Sequence, residues 1–573
     1  MNNIRKKFIL NMDNKEARKF LLKRNNYFSL PIPSYFNLDY LIEYAIDKLK
    51  EDELSQKNHL IDVKKYSEIP DINYTIQINK TKNSYRPMIL IHPLLYVDYV
   101  NYLTKKENWD NIVERFNILR ESVKNRIRCC SIPFDTKKEE LVNIAPLHFW
   151  SEVEQESIKL SLRYSYILHT DISNFYGSIY THTIPWALHG EKEAKKNKNT
   201  NDLIGNKLDK KIQHMNYGET VGIPQGNVVS DFIAELLLAY IDKLLVERLL
   251  EVDATLDYKI LRYRDDYRIF TNSKENENII KKELIVLLQR HKLSLGENKT
   301  LDSEDIINSS VKPDKLYWIE HDPVIKTSID KIYTLPKNYF RKETFNEIFH
   351  NRIYSATVQK HLFIIKILAD KFPNSGQLTK ALSEFEERIV DLNYNDFIEN
   401  GTSIEVLISI LLNIIKNNPK ITVSGVKLLS ILLNKIKYFQ NFEEIVRIWN
   451  SGEIPKYDFE VKLELVNLTN KKLITKSINS YFEIWSQRLI IKVLSMENNF
   501  SINYINLSSE KLVKLANELI LEDSSDVKLF NEEWIKEKYR IDWKKFIDAE
   551  EIDKLPDIIT KNEIDFTEYI WNE

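Results

Sequence analysis

The tetrapeptide Tyr-Arg-Asp-Asp at residues 263–266 constrains this sequence more than any other stretch. Apolar and aromatic residues flank it between residues 260 and 270, which favours two short strands joined by a tight turn at the Asp pair. Because side chains alternate between the faces of a strand, we expect Asp265 to face a site and Asp266 to support it. Paired carboxylates suit a hard divalent cation, although Asp also occurs in turns for purely structural reasons.

A third carboxylate lies upstream, at the end of an apolar run. Tyr166, Ile167 and Leu168 read as a buried strand that leads into Asp171, and the aromatic Tyr176 follows five positions later. A carboxylate at the end of a buried strand is costly unless it is paired or binds a metal ion. This stretch therefore favours a functional role over a purely structural one for all three aspartates.

A turn-rich loop lies between these two stretches. Residues 222–231 read Gly-Ile-Pro-Gln-Gly-Asn-Val-Val-Ser-Asp and run into a predicted helix that continues to about Leu250. Apolar residues between Phe232 and Leu245 recur at helical spacing, so we expect this helix in the core. Gly226 allows its backbone to approach another group closely.

These three stretches, in this order, resemble motifs A, B and C of the reverse transcriptase palm. Asp171 with Tyr176 matches motif A, residues 224–226 (Pro-Gln-Gly) match motif B, and the Tyr-x-Asp-Asp box matches motif C. Residues 295–299 (Leu-Gly-Glu-Asn-Lys) resemble motif D. The resemblance covers residues 80–320 and implies an α+β fold, the fingers and palm of a right-hand polymerase.

The resemblance implies a metal site for nucleotidyl transfer. Asp171, Asp265 and Asp266 would be the catalytic carboxylates and would hold two Mg²⁺ ions, with the backbone carbonyl of Ile172 as a further ligand. In the family, an aromatic side chain at the position of Tyr176 collides with a ribose 2′-hydroxyl and so favours deoxynucleotides. The alternative is that Tyr176 is only a core residue.

Further contacts to the incoming dNTP are implied in the same way. Gln225 and Gly226 would lie beneath the nascent base pair, and Lys299 would reach the triphosphate and assist the leaving pyrophosphate. Arg86 corresponds to an arginine of the fingers that contacts the triphosphate. A solvated loop lysine and a surface arginine are the competing interpretations of Lys299 and Arg86.

A basic series precedes motif A. Arg120, Lys124, Arg126 and Arg128 are spaced so that several would share one helical face, which suits the phosphates of DNA or RNA. A solvated helix face would look the same. Because 82 basic residues are balanced by 84 acidic ones, any nucleic-acid binding must come from a local patch of this kind.

Composition places the chain among intracellular proteins. Its two cysteines are the neighbours Cys129 and Cys130, which rarely form a disulfide, and we expect a reducing, cytoplasmic location. No run approaches the ~20 apolar residues of a membrane span, so we expect no membrane partner.

Three regions are predicted along the 573 residues. Residues 1–320 would form the fingers and palm, residues 321–390 a thumb-like helical segment, and residues 391–573 an all-α domain of paired, HEAT-like helices. Helical spacing marks residues 361–371, 404–415, 426–436 and 480–494. Residues 315–320 are predicted as a strand, and the hydrophilic run 191–201 as an exposed loop.

A palm without a recognisable RNase H module, followed by a helical region, resembles the defence-associated, abortive-infection type of bacterial reverse transcriptase. Relatives of that type use dNTPs, several act as homo-oligomers or with a noncoding RNA, and some extend DNA from a protein hydroxyl without a template. The sequence thus predicts a Mg²⁺-dependent DNA polymerase in antiphage defence. A conventional RNA-templated enzyme of a retroelement is one alternative, and a catalytically silent scaffold that binds nucleic acid or a phage component is the other.

Overall fold

The computed structural model describes residues 6–62, 66–81, 84–136, 145–198, 200, 203–325, 356–393, 396–397, 401–435, 480–496, 510–522, 524–556, 558–560 and 563. Its strands, in chain order, are β1 Lys6–Phe8, β2 Tyr74–Thr81, β3 Ser84–Leu90, β4 Ile127–Cys129, β5 Phe134–Thr136, β6 Tyr166–Asp171, β7 Tyr258–Tyr263, β8 Asp266–Thr271 and β9 Leu301–Ser303. One sheet has the order β4-β7-β8-β6-β9, while β1 pairs with β5 and β2 with β3. Helices lie between the strands, and the described elements after β9 are all helical. This mixture agrees with the α+β class predicted for the palm.

The centre of the large sheet carries the predicted hairpin. Strands β7 and β8 are antiparallel, with Tyr263 opposite Asp266, and Arg264 and Asp265 form the turn between them. Strand β8 also pairs with β6, which places Asp171 opposite Asp266. The predicted hairpin and the predicted strand into Asp171 are both confirmed, and the sheet register makes two aspartates direct neighbours.

Helices cover the sheet and extend the chain beyond it. In chain order they are α1 Asn14–Leu21, α2 Arg24–Tyr27, α3 Leu38–Leu49, α4 Pro93–Leu103, α5 Lys106–Val123, α6 Ala145–Leu160, α7 Phe175–Ser178, α8 Thr183–His189, α9 Glu191–Lys196, α10 Ile204–Met215, α11 Val228–Val252, α12 Lys274–Arg290, α13 Ile306–Ser310, α14 Pro313–Ile325, α15 Val358–Lys371, α16 Gly376–Ile389, α17 Ile404–Asn417, α18 Thr422–Asn434, α19 Ser480–Met496, α20 Lys511–Glu522 and α21 Ala549–Lys554. None in the described part of the chain has the length and apolar character of a membrane span.

Helix α11 is the central helix of the core, as its apolar spacing predicted. Asn227 caps its start by accepting a hydrogen bond from the backbone N–H of Ser230 at 2.8 Å. Apolar residues lie all round the helix, because it packs against α5, α8 and α12. This helix therefore fixes the motif B loop relative to the sheet.

A buried ionic cluster joins α11 to the hairpin. The guanidinium of Arg262 donates to Asp242 at 2.8 Å and to Glu235 at 3.0 Å, and Tyr267 donates to Asp242 at 3.1 Å. The charged side chains of Arg262, Glu235 and Asp242 are almost fully buried. Burial raises the pKa of Asp242, whereas Arg262 and hydrogen bonds hold the pKa of Glu235 below its usual value despite burial. The cluster holds the hairpin in place from below.

The C-terminal helices pack on one another and on the N-terminal region. Helices α15 to α18 contact each other, α14 contacts α15 and α16, and α19 contacts both α18 and β2. The side chain of Trp485 donates to the carbonyl of Pro31 at 3.2 Å, and Tyr35 donates to Gln487 at 3.0 Å. An isolated antiparallel bridge also joins Phe36 to Ile547. The predicted domain boundaries and HEAT-like repetition stay predictions, while apolar core packing continues from the palm into these helices.

Helical spacing located the C-terminal helices correctly. The helices predicted at residues 361–371, 404–415, 426–436 and 480–494 correspond to α15, α17, α18 and α19, although residue 436 lies outside the described residues. Much of the predicted thumb-like segment, residues 326–355, also lies outside them.

Two local predictions were wrong. Residues 315–320 lie in α14, which begins at Pro313; proline suits the first turn of a helix, and a short apolar run does not distinguish strand from helix. Within the run predicted as a loop, residues 191–196 form α9. Its support comes from charge pairing, because Lys195 donates to Glu191 one turn away at 2.6 Å.

Replacing Arg262 with methionine should destabilise the fold strongly. The change leaves the carboxylates of Glu235 and Asp242 buried without their cation, a loss of about 3–5 kcal/mol. Thermal and urea unfolding would measure it. Arg163→Met is the matched control, because that arginine pairs with Asp257 in solvent and should cost less than ~1 kcal/mol. Equal midpoints for the two variants would contradict the role given to the cluster.

Candidate active site

Residues of the hairpin, the motif A strand and the motif B loop line one cavity, which we call the aspartate cavity. Its volume is about 490 Å³. It is lined by Tyr85, Arg86, Pro87, Asp171, Ser173, Asn174, Phe175, Tyr176, Gln225, Asp265, Asp266 and Lys299. These residues are far apart in sequence, and the sheet register brings them together.

The three aspartates all line this cavity. Asp265 lies in the turn and not in a strand, so the alternation that predicted opposite roles for Asp265 and Asp266 does not apply. The backbone N–H of Ile172 donates to the carbonyl of Asp265 at 3.1 Å, which ties the turn to the end of β6. Burial and the neighbouring charge of Asp171 raise the pKa of Asp266, against the opposing effect of Lys299.

The carboxylate of Asp171 is nearly buried, with 6% of the residue exposed. Its Oδ2 accepts a hydrogen bond from Lys299 Nζ at 2.5 Å, while its Oδ1 has no hydrogen-bond partner among the described residues. Burial acts to lower the pKa of Lys299, but the bond to Asp171 and the charges of the three aspartates raise it overall. Lys299 therefore stays protonated beside the carboxylates.

The loop that bears Lys299 is pressed against motif A. Leu295 bridges to Ile172, and the N–H of Gly296 donates to the carbonyl of Asp171 at 2.8 Å. A Cβ at Gly296 would lie 2.3 Å from Asp171 Oδ1, well inside van der Waals contact. Only glycine leaves room for that carboxylate, a requirement that the sequence alone did not reveal.

The motif B loop is held by β3 and by the segment that follows α2. The carbonyl of Gln225 accepts a hydrogen bond from Ile89 at 2.8 Å, and the carbonyl of Gly226 accepts one from Ser29 at 2.8 Å. Gly226 has a φ of +113°, and a Cβ there would lie 3.1 Å from the Met88 side chain. Its predicted close backbone approach is confirmed, and Gln225 reaches the cavity while Gly226 supports the loop.

Tyr176 lines the cavity while remaining mostly buried. It is the second residue of α7, and 6% of its surface is exposed. Its hydroxyl donates to Asp231 Oδ1 at 2.6 Å. Asp231 lies in the first turn of α11 and is a site residue that the sequence motifs do not identify. An acidic residue in the first turn of a predicted core helix, directly after motif B, is the signal that could have found it.

The basic series lies apart from the aspartates. Arg120, Lys124 and Arg128 line a second cavity of about 180 Å³ that shares no lining residue with the first. Lys124 pairs with Glu121 at 2.5 Å, Arg128 with Glu156 at 3.1 Å, and Arg126 lies 5.0 Å above the ring of Tyr258. The prediction that several of these residues share one helical face was wrong, because α5 ends at Val123 and only Arg120 belongs to it. Binding of nucleic acid by this series stays a prediction.

Residues 78–306 match the family model described as "Reverse transcriptase (RNA-dependent DNA polymerase)". Every residue that lines the aspartate cavity lies within that range. No curated protein matches the chain in sequence.

Solved structures of telomerase resemble the chain weakly. Telomerase from Candida albicans in complex with a TWJ fragment of telomeric RNA is 12% identical over 69% of this chain and 67% of that chain, with a TM-score of 0.27. Apo telomerase from Candida tropicalis is 14% identical over 83% and 71%, also with a TM-score of 0.27. Likeness at this level carries no argument about function.

Polymerase domains of the matched family generally use divalent metal ions, typically Mg²⁺. In the described residues, no group of three or more His, Cys, Asp or Glu side chains is already arranged to hold one. The donor chemistry nevertheless fits, because three carboxylates line one cavity and Mg²⁺ prefers oxygen ligands. The buried Asp171 Oδ1 is costly without a cation or a donor, which agrees with such a site.

Gly296→Ala should lower catalysis while the fold persists. The added methyl group would push the Asp171 carboxylate aside, and a displacement of about 1 Å at a reacting centre costs on the order of 10²-fold. Nucleotide incorporation by the purified variant would measure the loss. Gly425→Ala is the control, because it creates a similar overlap, 2.4 Å from Ile415, in the C-terminal helices. Equal activity losses in both variants would show that crowding alone is responsible.

Proposed function

Because residues 78–306 are a reverse transcriptase domain, we propose that the chain is a Mg²⁺-dependent DNA polymerase that adds dNTPs to a 3′ or protein hydroxyl. The observation that carries this proposal is one cavity lined by three carboxylates, two cations and the ring of Tyr176. Carboxylates serve metal ions, cations serve a triphosphate, and the ring limits which sugar fits.

In this proposal Asp171, Asp265 and Asp266 hold the metal ions. When bound, the ions supply charge stabilisation for the hydroxyl nucleophile and for the departing pyrophosphate. The carbonyl of Ile172 is a further candidate ligand at the same sheet end. The protein's own contribution is to keep these oxygen donors fixed before substrate arrives. Sheet pairing holds Asp171 beside Asp266, and the N–H of Gly296 donates to the Asp171 carbonyl.

The cations and the ring would orient the dNTP. Arg86 on β3 and Lys299 both line the cavity, so a triphosphate bound there would be neutralised by two cations. Tyr176 lines the same cavity and would exclude a ribose 2′-hydroxyl. Gln225, held by Ile89, would support the nascent base pair.

The scaffold alternative receives less support. A protein that had lost catalysis would have no physical reason to keep three costly carboxylates at one cavity. The retroelement alternative shares the same site chemistry, so the cavity does not distinguish templated from template-independent synthesis. The primer and template requirements decide between them.

Asp265→Ala should abolish dNTP incorporation without unfolding the protein. Removing one carboxylate from a group of like charges should not destabilise the fold, whereas metal binding loses several kcal/mol, a fall of about 10³-fold or more. Labelled dNTP incorporation with Mg²⁺, and with EDTA in place of Mg²⁺, would measure it. Asp302→Ala, which changes an exposed aspartate outside the cavity, should keep wild-type activity. A folded Asp265→Ala variant that still incorporates dNTPs would exclude this site.

The same assay would identify the hydroxyl that is extended. Wild-type protein is incubated with dNTPs and Mg²⁺, first alone and then with an RNA template and a DNA primer, and products are resolved before and after protease treatment. Template-free product that stays attached to protein supports self-primed synthesis. Product that requires template and primer supports the conventional enzyme.

We also propose a role in antiphage defence, on the basis of the palm followed by a long helical region. Cells that express the wild-type chain should give at least about tenfold fewer phage plaques than cells that express Asp265→Ala at the same level, because the defence would depend on synthesis. Plaque counts over a panel of phages test this. Equal counts for both proteins on every phage would oppose it and favour the retroelement.

A further inference from the structure

Asp231 connects three motifs of the site. Its Oδ1 accepts a hydrogen bond from the hydroxyl of Tyr176 at 2.6 Å, and its Oδ2 lies 3.2 Å from Nη2 of Arg264. Tyr176 follows the motif A strand, Asp231 opens α11, and Arg264 is the first residue of the hairpin turn. One carboxylate therefore joins the predicted sugar gate to the turn that carries Asp265.

We propose that Asp231 and Arg264 are positioning residues that set the discrimination between deoxyribonucleotides and ribonucleotides by holding the ring of Tyr176. The inference rests on the polymerase function proposed above. We call the three side chains of Tyr176, Asp231 and Arg264 the gate latch. Neither Asp231 nor Arg264 lines the cavity, so both act through Tyr176.

The geometry explains why the ring needs a latch. The backbone of Tyr176 is fixed, because its carbonyl accepts a hydrogen bond from Ile223 at 2.9 Å. The hydroxyl at the other end is fixed by Asp231. A tyrosine held at both ends keeps its ring at one position in the cavity wall, whereas a ring held only at its backbone can rotate away from a 2′-hydroxyl. Asp231 suits this task because a carboxylate is stabilised in the first turn of a helix and accepts strong hydrogen bonds.

Arg264 is an unusual residue for its backbone conformation. Its φ of +50° lies in the left-handed region, which favours glycine and costs a residue with a Cβ roughly 1 kcal/mol or more. The turn is secured on other sides as well, because the N–H of Arg264 donates to Ser131 Oγ at 2.7 Å and its carbonyl accepts from Arg262 at 3.0 Å. A glycine would satisfy this backbone with less strain. The contact of the guanidinium with Asp231 is the property that glycine would lack.

The test measures sugar discrimination and not activity alone. For the full-length protein, kcat/KM is determined for dATP and for ATP with Mg²⁺, under the primer and template conditions established for the wild type. The variants are Asp231→Ala, Arg264→Gly, Tyr176→Phe, the double variant Tyr176→Phe with Asp231→Ala, and Tyr176→Ala as the benchmark for a lost gate. Damage to the fold alone would lower both kcat/KM values together and leave their ratio unchanged.

We expect the dATP-to-ATP ratio to fall about five- to tenfold in Asp231→Ala and in Tyr176→Phe, which corresponds to the loss of one hydrogen bond. The double variant should fall no further than the single ones, because both changes break the same contact. Arg264→Gly should fall in the same direction while the turn folds at least as well. Unchanged ratios in Asp231→Ala and Arg264→Gly, or effects that multiply in the double variant, would overturn the proposal.

A second trio in the protein provides the matched control. Asp257 accepts hydrogen bonds from Tyr164 at 3.2 Å and from Arg163 at 2.9 Å, the same three residue types outside the aspartate cavity. Asp257→Ala should leave the dATP-to-ATP ratio at its wild-type value, and an equal fall would overturn the specific role of the latch. If Asp231→Ala does not fold, Tyr176→Phe still tests the hydrogen bond between the ring and Asp231. Asp231→Asn then tests the pair with Arg264, because an amide can still accept from the Tyr176 hydroxyl but places no charge opposite the guanidinium. A wild-type protein that incorporates no dATP would instead contradict the proposed function itself.

Discussion

Two carboxylates that repel each other lie side by side at the end of one sheet, and much of the surrounding structure serves to keep them there. Antiparallel pairing of β6 with β8 places Asp171 opposite Asp266, and this register cannot slip without turning every apolar side chain of those strands to the wrong face. Lys299 partly neutralises the pair, and Gly296 leaves space for one of them. The backbone supplies the placement that the side chains alone would oppose.

Beneath this pair the protein uses charge differently. The cluster of Arg262, Glu235 and Asp242 is closed to solvent and internally balanced, so it anchors the hairpin to α11 without offering charge to a ligand. The aspartates above it are only partly balanced and line a cavity. A closed cluster suits a structural role and an open one suits binding, and the two lie on the same hairpin, only a few residues apart.

The sequence was informative where a signal is local. Apolar and aromatic runs predicted the hairpin and the strand into Asp171, and helical spacing predicted α11 and four C-terminal helices, because each pattern lies within one element. Contacts between distant segments left no such pattern. The contact of Gly296 with Asp171, the bridging position of Asp231 and the separate location of Arg120 and Lys124 all depend on which elements the fold brings together. The assignment of roles to the site residues came from motif order, and these roles stay proposals.

Residues 530–547, near the end of the chain, pack against the N-terminal region and complete its core. Ile547 and Ile535 bridge to Phe36 and Ile61, Tyr44 donates to the carbonyl of Tyr539 at 2.5 Å, and Phe530 and Trp534 pack around the buried His92. During synthesis on the ribosome, the N-terminal helices are therefore made about five hundred residues before the segment that completes their core. A nascent chain released before this segment is made would leave those N-terminal apolar residues exposed to chaperones and proteases.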